Sequence, residues 1–117
     1  MHSKAEIGLE GEQQAVKYLM SKGYEIVKTN YRHRRSEIDI IANHNELLVF
    51  IEVKTKSYSA FGEPEVAVDE KKANKVMEGA EQFIVENNWH GDIRFDVVSI
   101  IKNQGRYEIK HFEDAFH

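Results

Sequence analysis

The chain has 117 residues, 41% of them apolar and 31% charged, with a formal net charge of -4. That length suits one domain with its own core, and the balance excludes an intrinsically disordered chain. The acidic total also excludes a protein that coats nucleic acid by bulk attraction, and the lack of cysteine excludes disulfides, thiol nucleophiles and zinc–thiolate sites.

From about Ala5 to Lys22 the spacing is helical, with Leu9, Ala15, Val16, Leu19 and Met20 forming an apolar stripe and Gly23 a C-terminal stop. Gly8 and Gly11 each cost roughly 1 kcal/mol relative to alanine inside a helix, which predicts that this helix lies close against another backbone. Tyr24 to Tyr31 reads as a first strand, followed by a basic turn, Arg32-His33-Arg34-Arg35. Lys22 to Arg35 holds five basic residues against one acid, Glu25, a local balance of +4. A nucleic-acid partner is therefore expected to be held locally, with phosphate contacts at Arg32, Arg34 and Arg35 and, further on, Lys56.

Ile38 to Ala42 and Leu47 to Val53 read as a hairpin around Asn43-His44-Asn45. Thr55 to Pro64 is a polar loop in which Tyr58 and Phe61 either pack on the core or stack on a base. Asp69 is a good N-cap, and Glu70 to Asn87 repeats apolar residues at Ala73, Val76, Ala80, Phe83 and Ile84, a second amphipathic helix. Lys71, Lys72 and Lys75 read as its solvated face, with phosphate contact as the alternative. Trp89 reads as a packing anchor. Ile93 to Ile101 is a strand in which Arg94 and Asp96 support the core, Asn103-Gln104-Gly105 a turn, and Tyr107 to Phe112 the last strand. The order α-β-β-β-α-β-β implies an α/β fold, a mixed β-sheet flanked by helices, in a single domain spanning 1–117. The longest apolar run, Leu47 to Ile51, is too short to cross a membrane, and no charged-then-apolar leader opens the chain. A cytoplasmic protein with no membrane partner is expected.

The hairpin carries the chemistry. A two-residue turn at His44-Asn45 would set Asp39 opposite Phe50 and Glu37 opposite Glu52. One face then holds Glu37, Asp39, Ile41, Leu48, Phe50, Glu52 and Lys54. The other holds Ile38, Ile40, Ala42, Leu47, Val49, Ile51 and Val53. The first face is apolar at the turn and ionic at the open end, as a pocket at a sheet margin requires. Asp39 and Glu52 become diagonal neighbours, about 7–8 Å apart, near enough to share one cation. Mg²⁺ takes oxygen ligands and keeps several waters, so two or three carboxylates suffice. Lys54, one step along the same face, would orient or deprotonate an attacking water or offset transition-state charge. Cross-strand ion pairs on a surface hairpin are the plain alternative for the same charges.

Glu-x-Lys alone decides little, since it recurs at Glu70-Lys71-Lys72 and Glu108-Ile109-Lys110. The first opens a helix. The second lies roughly 10–13 Å along its strand from the residue facing Asp96, on an exposed edge. The six histidines show no ligand spacing; His33, His90 and His111 read as turn or surface residues.

An acid on one strand and Glu-x-Lys on the next, after an N-terminal helix, resembles the PD-(D/E)XK nuclease superfamily. Nearly the whole chain is similar to the small bacterial YraN-like family. The likeness rests on Gly8-x-x-Gly11-Glu12, Ala15, Tyr18-Leu19, Gly23-Tyr24, Asn30-Tyr31-Arg32 and Glu37-Ile38-Asp39-Ile40-Ile41-Ala42. It continues through Val49-Phe50-Ile51-Glu52-Val53-Lys54-Thr55-Lys56, Phe61-Gly62 and Arg94-Phe95-Asp96-Val97-Val98. The resemblance implies a restriction-endonuclease-like core and a Mg²⁺- or Mn²⁺-dependent endonuclease acting on branched or otherwise structured nucleic acid, DNA favoured. It implies Asp39 and Glu52 as metal ligands, the Val53 carbonyl as another, Glu12 as a further one, and Lys54 as the catalytic lysine. Glu37 would stand behind the ligands or be an exposed acid. Ile38 occupies the place of the superfamily's proline. Analogy with junction-resolving nucleases, and that analogy alone, makes a homodimer plausible. Two other readings are a nucleic-acid-binding module without turnover and a protein-interaction adaptor.

Overall fold

Side chains alternate along the central strands between two apolar faces, and each face needs a helix to cover it. The structure, a computed structural model, describes residues 4–57 and 69–116. Along the chain run α1 (Lys4–Ser21), β1 (Glu25–His33), β2 (Ser36–His44), β3 (Leu47–Ser57), α2 (Glu70–Glu86), β4 (Ile93–Asn103) and β5 (Arg106–Phe112). The element order and the α/β class are as expected. The five strands lie in the order β1-β2-β3-β4-β5, with β3 and β4 parallel and the other pairs antiparallel, so the sheet is mixed. Among the described residues no helix is long and apolar enough to cross a membrane.

Val49, Ile51, Val98 and Ile100 pack with Ala15 and Leu19 of α1, while Leu48, Phe50 and Val97 pack with Ala73, Val76, Ala80 and Phe83 of α2. The Asp69 side chain caps α2 by accepting the Lys72 N–H at 2.8 Å. Gly23, with φ +89°, closes α1: its N–H bonds to the Met20 carbonyl and the Tyr24 N–H to that of Leu19, the paired bonds of a Schellman stop. α1 does approach β3 closely at Gly11, but against a side chain and not the expected backbone: a Cβ there would overlap the Thr55 hydroxyl. The apolar stripe is narrower than its spacing suggests. Leu9 is 58% and Met20 61% exposed, and of that stripe Ala15 and Leu19 are the fully buried members.

The strands are longer than the hydrophobic pattern indicates. Arg32 and His33 belong to β1, leaving Arg34-Arg35 as the turn, and Thr55 to Ser57 continue β3 instead of opening a loop. Tyr58, Phe61, Gly62 and Pro64 lie outside the described residues. The central hairpin turns at Asn45-Glu46, both at positive φ (52° and 66°), with His44 paired to Leu47. This replaces the expected His44-Asn45 turn. Asparagine tolerates the left-handed conformation that such a turn demands, and His44 is held elsewhere, its ring stacked on Tyr24 at 4.1 Å. A slip of two residues keeps every side chain on its face, so the division of Ile41, Leu48 and Phe50 from Ile40, Ala42, Val49 and Ile51 survives.

What changes is the pairing of the acids. β2–β3 pairing ends at Ile40 and Ile51; the same register carried one step further sets Asp39 across from Glu52, not Phe50. β1 is also irregular here. Its register with β2 runs through Thr29/Ile40 and Tyr31/Ile38, but Asn30 between them turns to φ +52°. Alternation breaks at the same point, because Ile38 packs on the α2 side beside Gly79 while Ile40 packs on the α1 side. Ile38 therefore leaves the apolar face expected for it.

Candidate metal centre

The acid pair stands where the sheet opens. β3 and β4 run parallel through Ser57 and Lys102, whereas β2 has already parted from β3. Val53, deprived of a β2 backbone partner, donates its N–H to Asp39 Oδ2 at 2.8 Å. A strand residue directs its N–H and C=O to the same neighbour, so the Val53 carbonyl opens on the β2 side as well. Glu52 is 7% exposed, its Oε1 buried without a hydrogen-bond partner among the described residues. Lys54 is two residues along the same strand, half-buried, on the face of Glu52. The site therefore sits midway along the parallel β3–β4 pair, at the point where β2 leaves the other edge of β3.

Electrostatics report an excess of negative charge. Burial, and then the neighbouring Asp39, push the Glu52 carboxyl up to about 8, against the pull of Lys72. Burial also raises Asp39, opposed by the Val53 N–H and by Lys72. Glu12 is raised by burial and by Asp39, with a hydrogen bond from Asn30 acting the other way. Burial is the largest cause for all three, with repulsion from Asp39 next for Glu52 and Glu12.

Among the described residues no three His, Cys, Asp or Glu side chains gather closely enough to form a metal-holding group. The expected convergence of three carboxylates is thus a pair, Asp39 and Glu52. Glu12, on α1, is held by Asn30 and acts on Asp39 through its field. The donor set still fits a hard divalent ion: Mg²⁺ is commonly bound by one or two carboxylates with waters completing its shell, and Glu52 Oε1 meets no hydrogen-bond donor among the described residues.

The remaining expected residues divide. Glu37 pairs with Arg32 across β1 and β2, at 3.6 Å with side chains 74% and 41% exposed, and so is a surface acid on the margin of the site. Arg35 and Lys56 are exposed at the same end of the sheet as the acid pair. Arg34, in a turn at φ +57°, leans toward α2, where with His33, Ser36, Glu78 and Glu81 it lines a pocket of about 380 Å³.

Sequence reasoning missed three participants. Lys72, read as solvated helix charge, places Nζ 3.7 Å from Glu52 Oε2. Only the crossover from β3 into α2 brings it there; its place three residues past an N-cap was the sole signal. Asn30 supports Glu12, and an asparagine breaking an apolar strand pattern was the clue. His111, read as surface, bonds the fully buried Asp96 at 2.7 Å, with Arg94 bonding the same acid twice at 2.8 Å. Arg94 and Asp96 do support the core as expected, and Glu108 faces Ile101, well away from Asp96.

The chain matches the model of the uncharacterised protein family UPF0102 over residues 11–100. A UPF0102 protein of Alkaliphilus oremlandii is 46% identical over 113 residues, covering 94% of this chain and 97% of the relative. One from Christiangramia forsetii is 40% identical over 111 residues, covering 95% and 93%. A third, from a Sulfurihydrogenibium species, is 46% identical over 106 residues, covering 90% and 89%. The chain belongs to this family, the YraN-like proteins of the motifs above, and the matched span holds Glu12, Asp39, Glu52, Lys54 and Lys72.

Proposed function

We propose that this protein is a divalent-cation-dependent nuclease of the PD-(D/E)XK superfamily, cutting phosphodiester bonds in branched or otherwise structured DNA, or in RNA. The observation that carries the reading is the orphaned, buried Glu52 Oε1 beside Asp39 where β2 and β3 part, with Lys54 two residues on. A buried carboxylate oxygen with no partner is costly unless something binds it. Asp39, Glu52 and the Val53 carbonyl would hold a Mg²⁺ or Mn²⁺ ion, with Glu12 the next anionic group outward. Such an ion supplies charge for the phosphate and a more acidic bound water.

The protein's own groups do the rest. The Val53 N–H fixes the Asp39 carboxylate in one orientation. Lys54 offers an ammonium to hold the attacking water or to neutralise charge growing on phosphorus. Arg32, Arg35 and Lys56, at the same end of the sheet, take the flanking backbone. The test is cleavage of a panel of branched, flapped, single-stranded and duplex substrates in Mg²⁺ by the parent, Asp39→Asn and Lys54→Ala. Cutting by the parent and loss in both variants supports the reading; equal cutting by all three, or none by the parent, removes it. A second reading, a binding module without turnover, draws on the exposed Arg35 and Lys56 at the same end of the sheet and runs against the net charge of -4. It predicts salt-sensitive binding weakened by Arg35→Ala and no cation-dependent cutting.

A further inference from the structure

We propose that Lys72 is a built-in competitor for the divalent cation: its ammonium occupies the acid pair until an ion binds, and is then released to contact the phosphate of the substrate. This deepens the nuclease reading and rests on it. Lys72 Nζ stands 3.7 Å from Glu52 Oε2, reaching in from the opposite element to the one that carries Lys54. Its backbone is anchored, since its N–H is bound by the Asp69 cap at 2.8 Å. Its side chain is not anchored in the same way: it is 43% exposed, against 9% for Glu52, so the ammonium can withdraw to water on its four-carbon stem while the helix stays in place.

The contact is incomplete as a charge partner. One ammonium meets one oxygen of the pair, while Glu52 Oε1 remains without a partner among the described residues. A divalent ion brings twice the charge and several coordination positions, and so satisfies what Lys72 leaves. Two cations at contact distance repel, so the ion and the ammonium exclude one another from the Glu52 carboxylate. The displaced ammonium then lies at the first turn of a 17-residue helix, where the helix dipole adds to its pull on an anion, the Lys72 N–H itself being taken by Asp69. Lys54 and Lys72 would thus approach the phosphate from strand and helix respectively, the second only once the ion is in place.

Ion affinity tests this without any need for cleavage. The intact chain, Lys72→Met and Lys72→Arg are each titrated calorimetrically with Mn²⁺ at one pH, with thermal unfolding as the check on folding. Lys72→Met should bind Mn²⁺ roughly tenfold tighter or more, and Lys72→Arg like the parent. A proton displaced from the pair carries one charge and the ion two, so losing the ammonium favours the ion even where both compete. Equal or weaker Mn²⁺ binding by Lys72→Met overturns the competition. In saturating Ca²⁺, Lys72→Met should bind a branched oligonucleotide more weakly, with a salt dependence smaller by about one phosphate contact; unchanged binding overturns the phosphate role. Cutting by the parent with equal ion affinities would sink Lys72's role and spare the nuclease reading. Tighter ion binding by Lys72→Met with no cutting by either would do the reverse. No Mn²⁺ binding by any of the proteins sinks both.

Discussion

Asp39 Oδ2 accepts the Val53 N–H at 2.8 Å, one step past the last β2–β3 pair, Ile40 with Ile51. The carboxylate thus takes the bond that a β2 backbone carbonyl would make in a continuing ladder. The strands can part without orphaning a buried amide, and the second carboxylate is left room beside the first. Fold and candidate chemistry meet in this one side chain, which lets them be separated by mutation. Asp39→Asn keeps an acceptor for Val53 and should unfold within about 1 kcal/mol of the parent, while losing both Mn²⁺ binding and cleavage. Asp39→Ala also strands the amide, at a cost of about 1–3 kcal/mol, partly offset by relief of its repulsion with Glu52. Urea unfolding beside a cleavage assay checks both, and an Asp39→Asn protein that cuts like the parent would contradict the site.

Glu52 gives the metal-free protein a characteristic pH dependence. Burial and the Asp39 charge lift its carboxyl to about 8, well above the ordinary value of 4.5. The folded state therefore keeps a proton that the unfolded chain gives up. The associated stabilisation is complete below about 4.5 and is lost as pH rises through 8. Asp39, also raised, acts in the same sense. In chelator, unfolding free energy should fall between pH 5 and 8 by an amount on the order of a few kcal/mol. Glu52→Gln, neutral throughout, should flatten most of that fall. Parallel slopes for the two proteins in urea melts at pH 5, 6.5 and 8 would refute the assignment.

Cation binding reverses the trend. An ion taken up by Asp39 and Glu52 must displace the proton they retain, so apparent affinity rises with pH. Added Mn²⁺ should raise the melting temperature little at pH 6 and more at pH 8.5, with chelator abolishing the shift and Asp39→Asn or Glu52→Gln lacking it. Differential scanning calorimetry reads this directly. A shift equally large in Glu52→Gln would place the ion elsewhere.

The faces of the central hairpin were legible because alternation has period two, and the same property hid the register. Pairings offset by two residues leave Ile41, Leu48 and Phe50 where they were, so the pattern cannot tell Asp39 opposite Phe50 from Asp39 opposite Glu52. The deciding contacts are distant in sequence: His44 stacks on Tyr24, which frees Asn45 and Glu46 to turn. Lys72 illustrates the same limit. Helix charge is ordinarily solvated, and only the crossover sets this lysine against Glu52. Leu9, counted in the core stripe, instead faces a pocket of about 390 Å³ shared with Glu12, Val16, Thr29 and Asn30, where α1 passes edge strand β1. Spacing finds the helical face; it does not find where the sheet beneath it ends.

Gly11 couples the helix to β3, the strand that carries Glu52 and Lys54. A Cβ there would overlap the Thr55 hydroxyl, one residue beyond Lys54. Gly11→Ala gains helix propensity worth about 1 kcal/mol, yet overpacking costs typically 1–3 kcal/mol, so net destabilisation is expected. Gly11→Ala combined with Thr55→Ala should recover most of the loss, a coupling that a double-mutant cycle in urea measures. Additive losses would mean that the two residues do not touch.

Asp96 anchors the chain's last described segment. It is fully buried and accepts bonds from Arg94 twice at 2.8 Å, from His111 at 2.7 Å and from the Asp114 N–H at 3.0 Å. Burial alone would raise its carboxyl, but the bonds from His111, Arg94 and Asp114 outweigh it and hold the group below its ordinary 3.8. The resulting stability is present above that value and is lost as pH falls through the lower folded one, which contributes to acid unfolding. Asp96→Ala leaves Arg94 with only Tyr24 and the exposed Glu113, and strands the Asp114 amide. Breaking a buried pair from one side costs about 3–5 kcal/mol, with Tyr24 and Glu113 holding the loss toward the lower end. Phe116 packs on Phe95, with ring centroids 5.2 Å apart, and the Ala115 N–H bonds the Phe95 carbonyl at 2.8 Å. Without the Asp114 bond these contacts hold an unclamped end, so amide exchange should quicken first at Asp114 and Ala115 in Asp96→Ala, ahead of the rest of the chain. Uniformly faster exchange across β4 would show instead that Asp96 stabilises the sheet as a whole and does not clamp its terminus.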